Sequence, residues 1–359
     1  MPSTRQAREP EGYGDFIALS KAIGSDILKT QGAGGNTSLK QDGVMWVKAS
    51  GTWLAHAGEK DIMVPVEVAP LVEALRQGDP RAEKSTDFVI SELNASGLRP
   101  SIETSFHAAL KNPIVAHYHC VNTLALAVLE RRETFLRERM ATIADLSWTT
   151  IPYRRPGTPL AREIDKVADG RPDVLILFNH GIIVNGDSVE EVADRVARVT
   201  KALSCRPRLS TAPDMPALEE IAKGSNYRPA EDTESHKTAL DPVTMAFALG
   251  GSLYPDHVIF LGTELGVVSE GQTAADLAES YRLRGEPPPK MMLVPGKGVL
   301  LSQELTPGGE AMVRCLAEVV SRIPEGETVA YFSQADEHEL TNWEAEQYRQ
   351  ALDRKAAGL

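Results

Sequence analysis

Three histidines and one glutamate are the residues whose types and spacing are best suited to chemistry. His117 and His119 end an apolar run, Val115–His119, that is typical of a β-strand. Side chains two residues apart on a strand point to the same face, so the two imidazoles can bind one ion. His180 follows a second apolar run, Leu175–Phe178. A third imidazole at a strand end would complete a face of three histidines and leave an open position on a divalent metal, as catalytic zinc requires.

Each of these residues also has a structural interpretation. A single histidine in an apolar strand is more often a core residue than a ligand, but a buried pair loses solvation unless it is hydrogen-bonded or bound to metal. Glu103 is either a charge that stabilises a helix N-terminus or a base beside the metal. His107 lies four residues later on the same helical face, where packing or capping is expected and support of the metal site is the alternative. The residues alone leave these choices open.

The glycine-rich segment Gly32–Ser38 has the composition of an anion-binding turn, although such turns also serve as simple connections. Glycines let backbone N–H groups converge on phosphate oxygens, and Asn36, Thr37 and Ser38 add side-chain donors. Ser50-Gly51 can contribute a second set of donors. The segment is not a Walker loop, because no Gly-Lys-Ser/Thr follows, and it is not a dinucleotide fingerprint, because a predicted strand follows.

Composition excludes several classes of protein. A net charge of −12 argues against a general nucleic-acid binder and against adhesion to anionic membranes. The sequence has no apolar run of membrane-spanning length, and its N-terminus lacks the apolar core of a signal peptide. Cys120, Cys205 and Cys315 form neither a disulfide framework nor a zinc-ribbon spacing, so the expected location is cytoplasmic.

The length of 359 residues predicts two domains. We assign residues 1–206 to a metal-binding domain and residues 207–229, which are rich in proline and polar residues, to a linker. Residues 230–359 then form a smaller α/β domain of unknown role. In this second domain, the apolar runs His257–Leu261 and Met291–Val294 are predicted to be strands.

Ordered motifs between about residues 13 and 205 resemble those of the class II aldolase/adducin family. The matching segments are Gly35-Asn36-Thr37-Ser38, Lys48-Ala49-Ser50-Gly51, Pro100-Ser101-Ile102-Glu103, His117-x-His119, Pro152-Tyr153-x-x-Pro156-Gly157-Thr158 and Asn179-His180-Gly181. The sequence is most similar to a longer branch that includes the aldolase part of fused rhamnulose-phosphate aldolase/dehydrogenase proteins. Pro255-Asp256-His257 and Leu293-Val294-Pro295-Gly296 also resemble that branch.

The resemblance implies an α/β/α fold around a mostly antiparallel sheet. It implies a divalent metal, usually zinc, on His117, His119 and His180, with Glu103 as the general acid/base. Family members usually assemble as C4 tetramers with active sites between subunits, so a homo-oligomer is expected. The phosphate-side contacts that the resemblance implies are Asn36, Ser50, Gly51 and Ser101.

The expected function is therefore that of a metal-dependent lyase of the aldolase type. It would cleave or form a carbon–carbon bond in a small keto-sugar or sugar phosphate through a metal-stabilised enediolate. An epimerase or a decarboxylase is the alternative on the same scaffold, and an adducin-like interaction module is a non-enzymatic one. Ile102 stands where some phosphate-sugar aldolases of the family have a second serine, and no tyrosine is assigned as the proton donor.

Overall fold

The computed structural model describes residues 9–341 and 343–358, which form two β-sheets surrounded by helices. None of the helices in this part of the chain is both long and apolar enough to cross a membrane. The strands of the first sheet are β1 (Asn36–Gln41), β2 (Val44–Lys48), β3 (Met63–Glu67), β4 (Ile114–Tyr118), β5 (Trp148–Ile151), β6 (Val174–Leu177) and β7 (Gly181–Gly186). The strands of the second sheet are β8 (Tyr227–Pro229), β9 (Gly266–Val267), β10 (Met291–Val294) and β11 (Gly298–Ser302).

Helices cover both sheets. The α-helices are α1 (Tyr13–Gly24), α2 (Val68–Gln77), α3 (Thr104–Ala109), α4 (Val121–Ala127), α5 (Arg132–Met140), α6 (Thr158–Ala168), α7 (Val189–Ala202), α8 (Met215–Ala222), α9 (Lys237–Leu240), α10 (Pro242–Leu249), α11 (Ala274–Leu283), α12 (Pro307–Val320), α13 (Gln334–Thr341) and α14 (Glu344–Ala357). Short 3₁₀ turns span Leu54–His56, Pro80–Ala82, Ser85–Phe88, Ala141–Ile143 and Thr233–His236.

The first sheet has the strand order β3-β2-β1-β4-β7-β6-β5, and its pairs are antiparallel except for β5 with β6. β1 and β2 form a hairpin whose turn places Asp42 and Gly43 at φ 51° and 80°, the positive values that two-residue hairpin turns favour. The register between β1 and β4 sets Asn36 opposite His117. The mixed fold with a mostly antiparallel central sheet is therefore confirmed.

Alternation along β4 directs its side chains into two separate cores. Val115 belongs to the core beneath α2, α3 and α6, and His117 lies on the same face. Ala116 and Tyr118 face the opposite core, which α1, α4 and α7 cover. Because both faces of the strand are buried, the run reads as continuously apolar except at the histidine.

The C-terminal part shares the second of these cores. Helix α12 packs against α4, and its buried Met312 and Leu316 belong to the same cluster as Leu124. The predicted linker, residues 207–229, contains α8 and β8, and β8 pairs with β11 as an edge strand of the second sheet. These residues are thus structural elements of the C-terminal part, and the division of the chain into independently folding domains stays a prediction.

One predicted strand is wrong. Residues His257–Leu261 form a π-helix and not a strand, and all five are buried. A short, uniformly apolar run has no periodicity that distinguishes a strand from a buried helical turn. By contrast, Met291–Val294 is the predicted strand, β10.

Because the core is shared, we expect that a substitution that creates a cavity in the C-terminal part will also destabilise the N-terminal part. Leu316→Ala should lower the free energy of unfolding by about 2–5 kcal/mol, because Leu316 is fully buried. Tryptophan fluorescence in urea provides the measurement, in a Trp343→Phe background, since the other three tryptophans, Trp46, Trp53 and Trp148, all lie in the N-terminal part. The control Leu283→Ala removes a leucine that is 79% exposed and should change stability by less than about 0.5 kcal/mol. An unchanged fluorescence midpoint in Leu316→Ala would contradict a shared core.

Candidate metal centre

Three buried imidazoles meet at one end of the first sheet. His117 is in β4, His119 lies just beyond that strand, and His180 lies in the turn between β6 and β7. Each imidazole offers one nitrogen to a group whose members all lie within 4.8 Å of one another. A Cβ atom at Gly181 would lie 2.7 Å from the carbonyl oxygen of Tyr118, so only glycine lets the turn approach β4 this closely.

The contacts of two of these imidazoles leave their Nε2 atoms facing each other. His117 uses Nδ1 to donate to the carbonyl oxygen of Ile182 at 3.0 Å, because a carbonyl can only accept. His119 places Nδ1 2.9 Å from Oδ2 of Asp256. With protons on both Nδ1 atoms, the Nε2 lone pairs face each other at 3.2 Å. They repel unless a proton or a cation lies between them.

The Glu103 carboxylate faces the same point. Its Oε2 lies 3.4 Å from Nε2 of His117, and its Oε1 lies 3.3 Å from Nε2 of His180. Glu103 occupies the N-cap position of α3, yet its side chain makes no capping hydrogen bond. Oε1 has no hydrogen-bond partner among the described residues. A single proton cannot bind three imidazole nitrogens and a carboxylate at once, whereas a divalent cation can coordinate all four. This set of donor atoms therefore fits a metal.

Burial favours the neutral, metal-binding form of these imidazoles. It lowers the pKa of His117 well below its usual range and the pKa of His180 to about 3. Loss of hydration disfavours the charged imidazolium, which is the main cause in both cases. Both rings are therefore neutral at pH 7, as metal binding requires.

A buried network holds the carboxylate in place. Asn36 uses Nδ2 to donate to Oε2 of Glu103 at 2.9 Å and to Oγ of Ser101 at 3.0 Å. The Oδ1 atom of Asn36 bonds Nε2 of His107, whose Nδ1 lies 2.8 Å from Oγ of Ser38. His107 thus supports the site through Asn36, the alternative that sequence reasoning ranked second.

The residues predicted to bind an anion line one narrow cavity beside the metal ligands. The cavity walls include Asn36, Ser50, Gly51 and Ser101 together with Glu103 and His180. Gly51 has a φ of 72° and approaches helix α14, where a Cβ atom would lie 2.6 Å from Cδ1 of Leu352. Helix α14 therefore packs against Gly51, one of the residues on the predicted phosphate side of the cavity.

Two charged residues of this cavity, Lys48 and Asp256, were not predicted from the sequence as site residues. Lys48 is buried and donates from Nζ to the carbonyl oxygens of Ala33 and Thr52, at 2.8 and 2.6 Å. The sequence feature that could have identified Lys48 is a single charged residue at the end of an apolar strand, within the segment Lys48-Ala49-Ser50-Gly51 that resembles the family. Asp256 comes from the C-terminal part, and its signal was the resemblance of Pro255-Asp256-His257 to the longer branch of the family.

The comparisons with known proteins agree with this geometry. Residues 16–206, just over half of the chain, match the model of the family described as Class II Aldolase and Adducin N-terminal domain. The protein belongs to this family.

Three relatives show how far the likeness extends. A Bacillus subtilis protein named uncharacterized oxidoreductase YuxG is 27% identical over 52% of this chain and 28% of its own length. An L-fuculose phosphate aldolase from Methanococcus vannielii is 27% identical over 49% of this chain and 85% of its own. A 3-oxo-tetronate 4-phosphate decarboxylase from Haemophilus influenzae is 32% identical over 27% of this chain and 51% of its own. The chain thus spans about a quarter of the first relative and half of the third.

Removing any one of the three imidazoles should empty the site. His117→Ala, His119→Ala and His180→Ala are each expected to lower bound zinc from about one equivalent per chain to below about 0.2, because two imidazoles hold the ion weakly. Metal analysis after growth with zinc and gel filtration gives the content. His338→Ala is the matched control, since His338 is exposed in α13. Full zinc content in all three variants would rule out a shared ion.

Proposed function

We propose that the protein is a zinc-dependent lyase of the aldolase type. Its substrate would be a small keto-sugar or sugar phosphate in which a carbon–carbon bond is cleaved or formed. The observation that carries the proposal is the convergence of three buried imidazoles and a carboxylate on one point beside a donor-lined cavity. Homo-oligomeric assembly and a cytoplasmic location remain predictions.

In the proposed centre, the metal ion and the protein side chains have different chemical roles. A divalent cation held by His117, His119 and His180 supplies Lewis acidity, which stabilises negative charge developing on a carbonyl oxygen. Glu103 holds or moves the proton, since its carboxylate is buried and only one of its oxygens accepts from Asn36. The bond between Asn36 and Glu103 fixes the direction in which that carboxylate points.

The other end of the cavity suits an anionic group. Asn36, Ser50 and Ser101 contribute polar side chains, and Gly51 brings the backbone close because it has no Cβ. Lys48 places a buried positive charge on the same wall. Hydrogen-bond donors with a nearby cation are the usual means by which proteins bind phosphate or carboxylate.

Decarboxylation of a keto-acid phosphate is the second candidate. The Haemophilus influenzae relative, named a 3-oxo-tetronate 4-phosphate decarboxylase, has the highest identity of the three relatives, 32%, although the match is short. Both reactions develop negative charge beside a carbonyl group, so one centre can serve either. They differ in the bond that breaks and in the position of the carboxylate in the substrate.

Glu103→Gln should separate proton transfer from metal binding. The amide keeps the shape of the side chain but cannot act as a base, so turnover should fall by about 100-fold or more. Zinc content should remain close to that of the unaltered protein, because the three histidines are intact. Glu73→Gln is the control, since Glu73 is exposed on α2. Unchanged turnover in Glu103→Gln would refute the assignment of the base.

A panel of phosphorylated substrates should distinguish the two reactions. Retro-aldol cleavage yields two carbonyl compounds, whereas decarboxylation yields carbon dioxide and one ketone. We expect the zinc-loaded protein to release an aldehyde from a keto-sugar phosphate, measured by coupled reduction, and to release no carbon dioxide from a 3-keto acid phosphate. The reverse pattern would favour the decarboxylase. Release of neither product by a zinc-loaded protein would contradict both reactions and leave the epimerase and the interaction module.

A further inference from the structure

A short segment of the C-terminal part, residues 253–256, contacts His119 and the turn that carries His180. It connects α10 to the π-helix at His257–Leu261. Leu253, Tyr254 and Asp256 are each no more than 2% exposed. The segment lies outside residues 16–206, which match the family model. Its contacts with the metal centre therefore give the C-terminal part a role that the family match does not supply.

The first contact places a buried carboxylate beside His119. Oδ2 of Asp256 lies 2.9 Å from Nδ1 of His119, and both side chains are buried. The contact is electrostatic: the negative charge of the carboxylate favours a proton on Nδ1 and therefore a lone pair on Nε2, which faces His117. The same carboxylate makes the imidazole a stronger donor to a metal.

The second contact fixes the turn that carries His180. Asn179, the residue before it, has a φ of 52°, a left-handed conformation that asparagine tolerates better than most residues. Its Nδ2 donates to the carbonyl oxygens of Leu253 and Ala330 at 3.0 and 2.7 Å. Both acceptors belong to the C-terminal part, so that part holds the turn in its left-handed form.

The glycine-rich segment makes room for the first contact. A Cβ atom at Gly34 would lie 2.9 Å from Nδ1 of His119 and 3.0 Å from Oδ2 of Asp256. Both distances are shorter than ordinary van der Waals contact, and the atoms are buried. Gly34 therefore lets a loop of the N-terminal part pass beside the Asp256–His119 pair without separating the two side chains.

We propose that the C-terminal part positions the metal centre, with Asp256 as the positioning residue for His119 and the carbonyl of Leu253 anchoring the turn before His180. The inference rests on the proposed function only in taking His119 and His180 as metal ligands. It assigns Asp256 no contact with substrate. Two of the three ligands then depend on residues that are distant in the sequence.

Zinc affinity tests the proposal directly. Asp256→Ala should weaken zinc binding by about 10–100-fold, the usual cost of losing a partner of a ligating histidine, measured by competition with a chromophoric chelator. Asp256→Asn should lose less zinc affinity than Asp256→Ala, because the amide oxygen of asparagine can still accept a hydrogen bond from Nδ1 of His119. The visible spectrum of the cobalt-substituted protein should also change in Asp256→Ala, since the geometry at His119 alters.

Glu318→Gln is the matched control for general destabilisation. Glu318 is a C-terminal carboxylate that is 3% exposed and pairs with Arg314 at 2.7 Å, away from the histidines. Its substitution should lower the unfolding temperature and leave zinc affinity unchanged. If Asp256→Ala does not fold, Asn179→Gly provides a second test, because glycine keeps the left-handed backbone but removes the bonds to Leu253 and Ala330. It also removes the bond from Arg132 to Oδ1 of Asn179, so the control is Arg132→Ala, which removes that bond, leaves those to Leu253 and Ala330 and should keep normal zinc affinity. We expect weaker zinc binding in Asn179→Gly as well.

The outcomes separate this inference from the proposed function. Tight zinc binding by the unaltered protein, with equal affinity in Asp256→Ala or in a folded Asn179→Gly, would overturn the positioning role and leave the proposed lyase intact. Absence of zinc binding by the unaltered protein would overturn both. Weaker binding in Asp256→Ala, partial recovery in Asp256→Asn and normal binding in Glu318→Gln would support the proposal.

Discussion

The nitrogens of His117 and His119 that face each other across 3.2 Å set the main constraint on this structure. Each ring has its Nδ1 beside a hydrogen-bond acceptor, the carbonyl of Ile182 or the carboxylate of Asp256, which directs both lone pairs inward. Glu103 adds negative charge to the same point. A cation bound between these atoms would relieve the repulsion. The surrounding residues fix the orientation of the histidine and glutamate side chains. The fold therefore keeps an arrangement that would be unfavourable without a ligand.

Local patterns in the sequence were sufficient to predict much of this centre. The spacing of His117 and His119 on an apolar strand predicted that both would face one ion, and His180 was expected in a turn at a strand end. The structure brings the three side chains together. The α/β/α fold followed from the resemblance, and its mostly antiparallel sheet is confirmed. The placement of the three histidines depends on alternation and on turn residues, which act over a few positions.

The remaining features depend on packing between distant parts of the chain. The sequence does not indicate that Asp256 would reach His119, because that contact requires the C-terminal part to share a core with the N-terminal part. The direction of the Glu103 side chain depends on Asn36, which lies on β1, far away in the sequence. The run His257–Leu261 was predicted as a strand because uniform burial removes the periodicity that identifies a helix.

X-ray absorption at the zinc edge of the zinc-loaded protein tests the central claim most directly. The account predicts one zinc ion per chain with three imidazole nitrogens at about 2.0–2.1 Å and the outer-shell scattering that imidazole rings produce. Oxygen or water ligands would complete the first shell. A shell of oxygen atoms without imidazole scattering, or one with a single imidazole, would contradict the convergence of the three histidines on one ion.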